Sequence, residues 1–262
     1  MKKILTILSV IFITVSCGEY QKVLNSGNPL EQYTLAEKLF DQGKYAKAER
    51  LYALADEPMK THPKYERLKF HRAKSLYHLK QYHSAGYQFR TFTQLFPGSS
   101  KTEEADYYIV KCYYKLVPEY YRDLTYGTKM LEEADRFIRE YPDSKFLDTI
   151  NDMTKDITLR FQRKDFEKAK LYYNLEYYKS AVKSFDLFFI DHPGSPLREE
   201  AHYWRFMAAA NLALNSVESK KQERIKNALK YYKKFKQIFP ESKYLNKVEK
   251  VKKQLETQLK SA

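Results

Sequence analysis

Two thiols, six imidazoles and several adjacent carboxylate pairs are the groups in this 262-residue chain that could do chemistry. Cys17 stands directly after Ser16, at the end of an apolar run from Ile4 to Val15 that Lys2 and Lys3 precede. A permanent bilayer-spanning helix needs about 20 residues, more than this run supplies. Its basic start, apolar centre and small residue at the break predict a signal peptide over residues 1–16, cleaved between Ser16 and Cys17. The other thiol, Cys112, falls in the helical series Ala105, Tyr108, Ile109, Cys112, Leu116 and reads as a small core residue, because free cysteine is among the most buried types. Histidines at 62, 71, 78, 83, 192 and 202 lack metal-ligand spacing. Glu103-Glu104, Glu132-Glu133 and Glu199-Glu200 fall near helix N-termini or on exposed faces, where they complement the helix dipole rather than face each other across a cleft. Neither a phosphate loop, a dinucleotide fingerprint nor a nucleophile elbow occurs. The expectation is a protein that is not an enzyme and uses no metal or diffusible cofactor.

The Ser16-Cys17 junction resembles the lipobox of bacterial lipoproteins, with Thr14 standing where leucine is usual. This resemblance implies that the Cys17 sulfur is joined to diacylglycerol and that Cys17, with an N-acyl chain, becomes the new N-terminus. Two or more acyl chains anchor a protein without spanning, at about 0.8 kcal/mol per buried methylene. The absence of aspartate after the cysteine points to the outer rather than the inner membrane. Residues 17–29 are then expected to form a loose polar tether.

The elements that carry the body are legible from a repeat. Tyr82, Ala85, Phe89, Phe92, Pro97, Ser99 recur as Tyr178, Ala181, Phe185, Phe188, Pro193, Ser195 and as Ile225, Ala228, Tyr232, Phe235, Pro240, Ser242. Steps of 3, 4 and 3 set an apolar stripe on a helix, the proline ends it, and the serine is suited to cap the next helix. Weaker copies at Gly127–Ser144 and Tyr45–Ala55 bring the units to five. Between Ser144 and Tyr172, Phe146, Ile150, Met153, Ile157 and Phe161 predict one long helix. Insertions are expected at Val117–Thr125 and Asn215–Arg224. Leu245, Val248, Val251, Leu255 and Leu259 predict a final helix with Glu249–Lys253 and Glu256–Lys260 pairs on its surface.

Gly43-Lys44-Tyr45 with Ala48, Leu35, Ala36 and Leu39 resembles a tetratricopeptide helix pair. The expected fold is all-α, a right-handed α-solenoid of about five tetratricopeptide-like helix pairs over residues 30–262. The pairs are placed at about 30–60, 64–98, 100–143, 145–194 and 196–241, with a cap at 243–260. In tetratricopeptide proteins the inner face of each first helix holds peptides. Mapped onto this chain, that resemblance puts Phe70, Lys74, Tyr77 and His78, and again Phe166, Lys170, Tyr173 and Asn174, in a groove suited to a peptide with an aromatic residue and a free carboxylate.

Formal charge is +14, and residues 215–262 hold fourteen Lys/Arg against five Glu. A basic surface meets nucleic acid, an acidic protein face or anionic headgroups. Export disfavours nucleic acid, leaving the other two beside the plain alternative of a solvated helix face whose lysines serve solubility. Cys17-Gly-Glu-Tyr-Gln-Lys-Val-Leu, Phe96-Pro-Gly-Ser99, Tyr141-Pro-Asp-Ser144, Lys170-Leu-Tyr-Tyr173 and His192-Pro-Gly-Ser195, in this order behind a lipobox, resemble the BamD (YfiO/ComL) family of outer membrane protein assembly lipoproteins. The resemblance implies a non-enzymatic scaffold of the β-barrel assembly complex, lipid-anchored to the outer membrane with its body facing the periplasm. Its partners would be the POTRA domains of the barrel-assembly protein, unfolded outer membrane β-barrel proteins, and outer membrane lipid through the acyl anchor. Alternatives are a tetratricopeptide pilotin or adaptor for another envelope complex and a glycan-binding lipoprotein, the latter poorly served by a single tryptophan, Trp204.

Overall fold

The computed structural model describes residues 18–261, all of whose regular elements are helical. Residues 1–16 and Cys17, the expected signal peptide and lipidation site, lie outside them. Eleven helices follow a short helical segment at 18–24: α1 Pro29–Asp41, α2 Tyr45–Asp56, α3 Tyr65–His78, α4 Tyr82–Leu95, α5 Thr102–Leu116, α6 Thr125–Glu140, α7 Leu147–Asn174, α8 Tyr178–Asp191, α9 Arg198–Leu214, α10 Glu218–Ile238 and α11 Leu245–Ser261. Consecutive helices pack in pairs, a tetratricopeptide-like all-α arrangement.

The helices form two compact units. One runs to Pro118 and resumes from Leu124 to Thr154; the other takes Glu119–Asp123 and the chain from Lys155 on. In the first, Phe70 meets Phe89 and Phe92 at 5.9 and 5.3 Å between ring centroids, over a core that includes Ala73, Ala85, Ile109 and Cys112. In the second, Phe166 meets Phe185 and Phe188 at 5.9 and 6.1 Å. Each such ring, fully buried, contributes about 1.5–3 kcal/mol. Cys112 is buried as expected, and burial pushes its thiol up to about 12.

Within a pair the turn is the same device used three times. Gly43, Lys80 and Glu176 take left-handed φ values of 71°, 60° and 61°. The next residue's N–H bonds the carbonyl five positions back: Lys44 to Leu39, Gln81 to Leu76 and Tyr177 to Tyr172, at 2.8–3.0 Å. This is the bond pattern of a Schellman cap, which favours glycine. Lys80 and Glu176 hold it at a cost of about 1–2 kcal/mol each.

Four expectations change. The serine after each proline does not cap the following helix, whose first turn starts farther on. Its hydroxyl instead accepts the N–H two residues ahead and donates back to the first helix of the pair before it: Ser99 to Glu66, Ser144 to Glu103, Ser195 to Gln162 and Ser242 to Glu199, at 2.5, 2.5, 2.9 and 2.6 Å. The segment after Cys17 is not a loose tether. Residues 18–24 are helical, and Tyr20, Val23 and Leu24 pack on the first pair's core, burying apolar surface there. Lys47 lies 4.9 Å from the Tyr20 ring centre. The polar insertion before the last stripe is helical from Glu218, with Arg224 donating to Ser216 at 2.6 Å. On α11, Glu249 turns toward α10, pairing with Lys236 at 3.0 Å and accepting from Tyr232, while Glu256 takes Lys252 at 3.1 Å. The expected Glu249–Lys253 and Glu256–Lys260 pairs do not form.

Candidate functional site

The first helices of neighbouring pairs, α3 and α5, build a ladder of lysines between rings. Lys74 lies 5.5 Å from the centres of both Phe70 and Tyr108 and pairs with Glu104 at 3.2 Å. Lys111 stands 5.0–5.2 Å from Tyr77, Tyr107 and Tyr108, and Tyr77 meets Tyr108 and Tyr82 edge-on. Burial raises the Glu104 carboxyl, but Lys74 and Lys101 outweigh it and hold the group below the usual range. The Tyr77 phenol is pushed above its ordinary value, mainly by burial. His78 stacks on Tyr45 at 4.2 Å, and burial with Lys74 and Lys111 pulls its pKa down.

The second unit repeats the central part at a constant offset of 96 residues. Phe70, Lys74, Tyr77, Tyr82, Glu104 and Tyr108 correspond to Phe166, Lys170, Tyr173, Tyr178, Glu200 and Trp204. Lys170 lies 5.1 Å from the Trp204 ring centre and 3.7 Å from Glu200, which also accepts from Trp204 Nε1 at 3.1 Å. Tyr173 meets Trp204 at 5.0 Å and accepts from Asn211 at 2.9 Å. The carboxylate and the second ring of each set were not expected from sequence. Glu103-Glu104-Ala105 against Glu199-Glu200-Ala201, at that same offset, is the signal that would have found them.

The groove expected from sequence is therefore altered. Phe70 and Phe166 are core residues, 3% and 0% exposed, because each first helix turns that position onto its pair rather than toward solvent. Lys74 and Lys170 are half-buried and each already has a carboxylate, so neither offers an unpartnered ammonium to a peptide terminus. Tyr77 and Tyr173 are half-buried among rings, whereas His78 and Asn174 are exposed. His71 stacks on Phe40 and meets Glu37 at 2.9 Å, beside Tyr52, which donates to the same carboxylate at 2.6 Å.

Unneutralised charge lies instead on α10 and α11. Lys226, Lys230 and Lys233 on one helix, and Lys247, Lys250 and Lys253 on the other, are exposed at steps of 3 or 4 opposite the buried stripes. None of the six has an ion-pair partner among the described residues. Such rows attract an acidic surface and draw it in faster at low salt. Among the described residues no three His, Cys, Asp or Glu side chains gather as a metal site, and no helix is long and apolar enough to cross a membrane.

A family model described as YfiO, outer membrane lipoprotein, matches residues 26–184 and residues 160–261. No curated protein matches the chain.

Proposed function

The chain belongs to the YfiO family of outer membrane lipoproteins, and from that premise we propose that it is a non-enzymatic, lipid-anchored scaffold of the β-barrel assembly machinery. Diacylglycerol and an N-acyl chain on Cys17 hold it to the outer membrane, with its helical body in the periplasm. The second unit docks the POTRA domains of the barrel-assembly protein, and the first receives unfolded β-barrel precursors. Stacked helix pairs suit this division, since each repeat contacts mainly its neighbours and successive repeats present separate surfaces.

The observation that carries the reading is the pair of lysine rows on α10 and α11 without counter-carboxylates. Charges arranged this way set on-rate and partner choice more than fold stability. Reversing Lys226, Lys230 and Lys233 to glutamate is expected to reduce capture of the barrel-assembly protein, after mild crosslinking in membranes, by roughly tenfold or more, about 1.4 kcal/mol. The melting temperature should hardly move. Recovery of a secretin or a peptidoglycan enzyme in its place would replace this reading with an adaptor for another envelope complex. Radiolabelled lipid is expected on the mature chain and absent from Cys17→Ala; label retained in that variant would end the assignment of the anchor.

A further inference from the structure

A cavity of about 240 Å³ opens between α4, α5 and α6 of the first unit. Gly86, Cys112 and Leu116 line it together with five rings, those of Tyr82, His83, Tyr87, Tyr113 and Tyr126. Gly86 sits inside a helix, where glycine costs about 0.5–1 kcal/mol relative to alanine. Its backbone does not need that residue, because its φ lies outside the left-handed region, and an added Cβ would meet only the Cβ of Cys112 at 3.4 Å, an ordinary contact. The second unit has a larger residue at the equivalent position. Val182, 96 residues on, packs against that unit's core. Gly86 thus adds no side chain to the cavity, at some cost to its helix, while Cys112 and Tyr113 beside it are larger than their counterparts Ala208 and Ala209.

We propose that this cavity receives one aromatic side chain of a partner polypeptide. Its volume falls below the about 300–1,000 Å³ of small-molecule and cofactor sites, which leaves room for a side chain rather than a free ligand of ordinary size. Tyr113 and Tyr126 are near parallel, 24° apart with centroids at 6.3 Å, and His83 meets Tyr126 edge-on at 5.0 Å. Rings so placed offer faces and edges to a further ring, in the offset and edge-on contacts that aromatic groups prefer. A cationic guest, the other usual occupant of an aromatic cage, is repelled here. Lys129 already lies 5.6 Å from the Tyr126 ring centre, and Arg90 also lines the cavity, paired with Glu133. The mouth is open to solvent, since His83 and Tyr87 are exposed. This site is separate from the lysine rows and does not depend on the reading given to them.

The test is an NMR titration of the mature chain with N-acetyl-phenylalaninamide, N-acetyl-tyrosinamide and N-acetyl-leucinamide. The two aromatic probes are expected to shift the resonances of Gly86, Tyr113 and Tyr126 saturably, and the leucine probe to bind roughly tenfold more weakly. Gly86→Val, which installs the side chain of the second unit's counterpart, is expected to abolish the shifts. Equal binding of the leucine probe, aromatic binding that survives Gly86→Val, or no shift at the solubility limit would overturn the proposal. Should Gly86→Val not fold, Tyr126→Ala serves instead, and undiminished aromatic binding there has the same consequence.

Discussion

Replacing Asp106 with alanine is expected to destabilise the protein by about 3–5 kcal/mol, the usual cost of breaking a buried ion pair from one side. Asp106 is 2% exposed on α5. One carboxylate oxygen accepts from Arg136 of α6 at 2.7 Å, and the other from the Tyr141 hydroxyl at 2.9 Å. Burial alone would lower the Arg136 pKa, but Asp106 and Glu133 more than offset it and raise it above the ordinary value. Tyr141 is raised as well, by burial and then by its bond to Asp106. Without the carboxylate, Arg136 keeps Glu133 and Glu140 but loses its inward partner, and the Tyr141 hydroxyl loses its acceptor. Urea unfolding of the wild type and Asp106→Ala checks this, and a loss below about 1 kcal/mol would place the pair among surface-like interactions. Asp106→Asn, which keeps an acceptor for Tyr141, is expected to lose less.

The second large effect is a loss of stability in mild acid, set by His202. This residue occupies the position equivalent to Asp106, 96 residues on, yet no carboxylate takes up a proton there. His202 is 2% exposed, stacks on Phe189 at 4.1 Å and lies edge-on to Phe239 at 5.6 Å. Its Nδ1 accepts from Arg205 at 3.1 Å, and its Nε2 is buried without a partner. Burial, then Arg205, Arg198 and Lys234, depress its pKa from 6.5 to about 3. The imidazole is therefore neutral in the folded chain and takes up a proton on unfolding at any pH between those values. Stability is complete above pH 6.5 and falls as pH drops through the window toward 3, by at most about 1.4 kcal/mol per unit. Allowing for solvent near the ring, about 1–2 kcal/mol is expected to be gone by pH 5. Denaturant unfolding at pH 7 and pH 5 measures it. His202→Gln, which preserves an acceptor for Arg205 without a titrating proton, should flatten the slope, and an unchanged slope would assign the acid sensitivity elsewhere. Below about pH 4.5 a further loss is expected as Glu104 and Glu37, both held below the usual carboxylate range, take up protons in the unfolded chain first.

One buried position thus carries a paired anion in the first unit and a neutral imidazole in the second. What surrounds each explains the difference. Asp106 faces Arg136 and the Tyr141 hydroxyl, whereas His202 faces Phe239 and cations. Neither state follows from the helix that bears the residue alone, since Arg136 and Tyr141 in one unit, and Lys234 and Phe239 in the other, come from the second helix of the same pair or its end.

Local rules reached a long way into this chain. Apolar steps of 3 and 4 placed the helices, prolines marked their ends, and the long helix α7 followed from five apolar positions between Phe146 and Phe161. Those features depend on neighbours within a turn or two, and a single strand of sequence contains them all. The candidate site was legible only in outline. Lys74 and Lys170 were recognised, but their carboxylates, Glu104 and Glu200, lie 30 residues farther on another helix. Phe70 and Phe166 were placed in the groove because a repeat register says which helix face is inward without saying how far the next helix covers it. The post-proline serines misled for a related reason: their acceptors lie 33 to 43 residues back, on the first helix of the pair before them. What the sequence by itself determined, then, was the helical repeat, and the proposal of a lipid on Cys17 rests on sequence alone. Which lysines remain unpaired, which buried group is charged and where a cavity opens beside Gly86 were decided by tertiary structure, because each depends on side chains brought together by packing between helices.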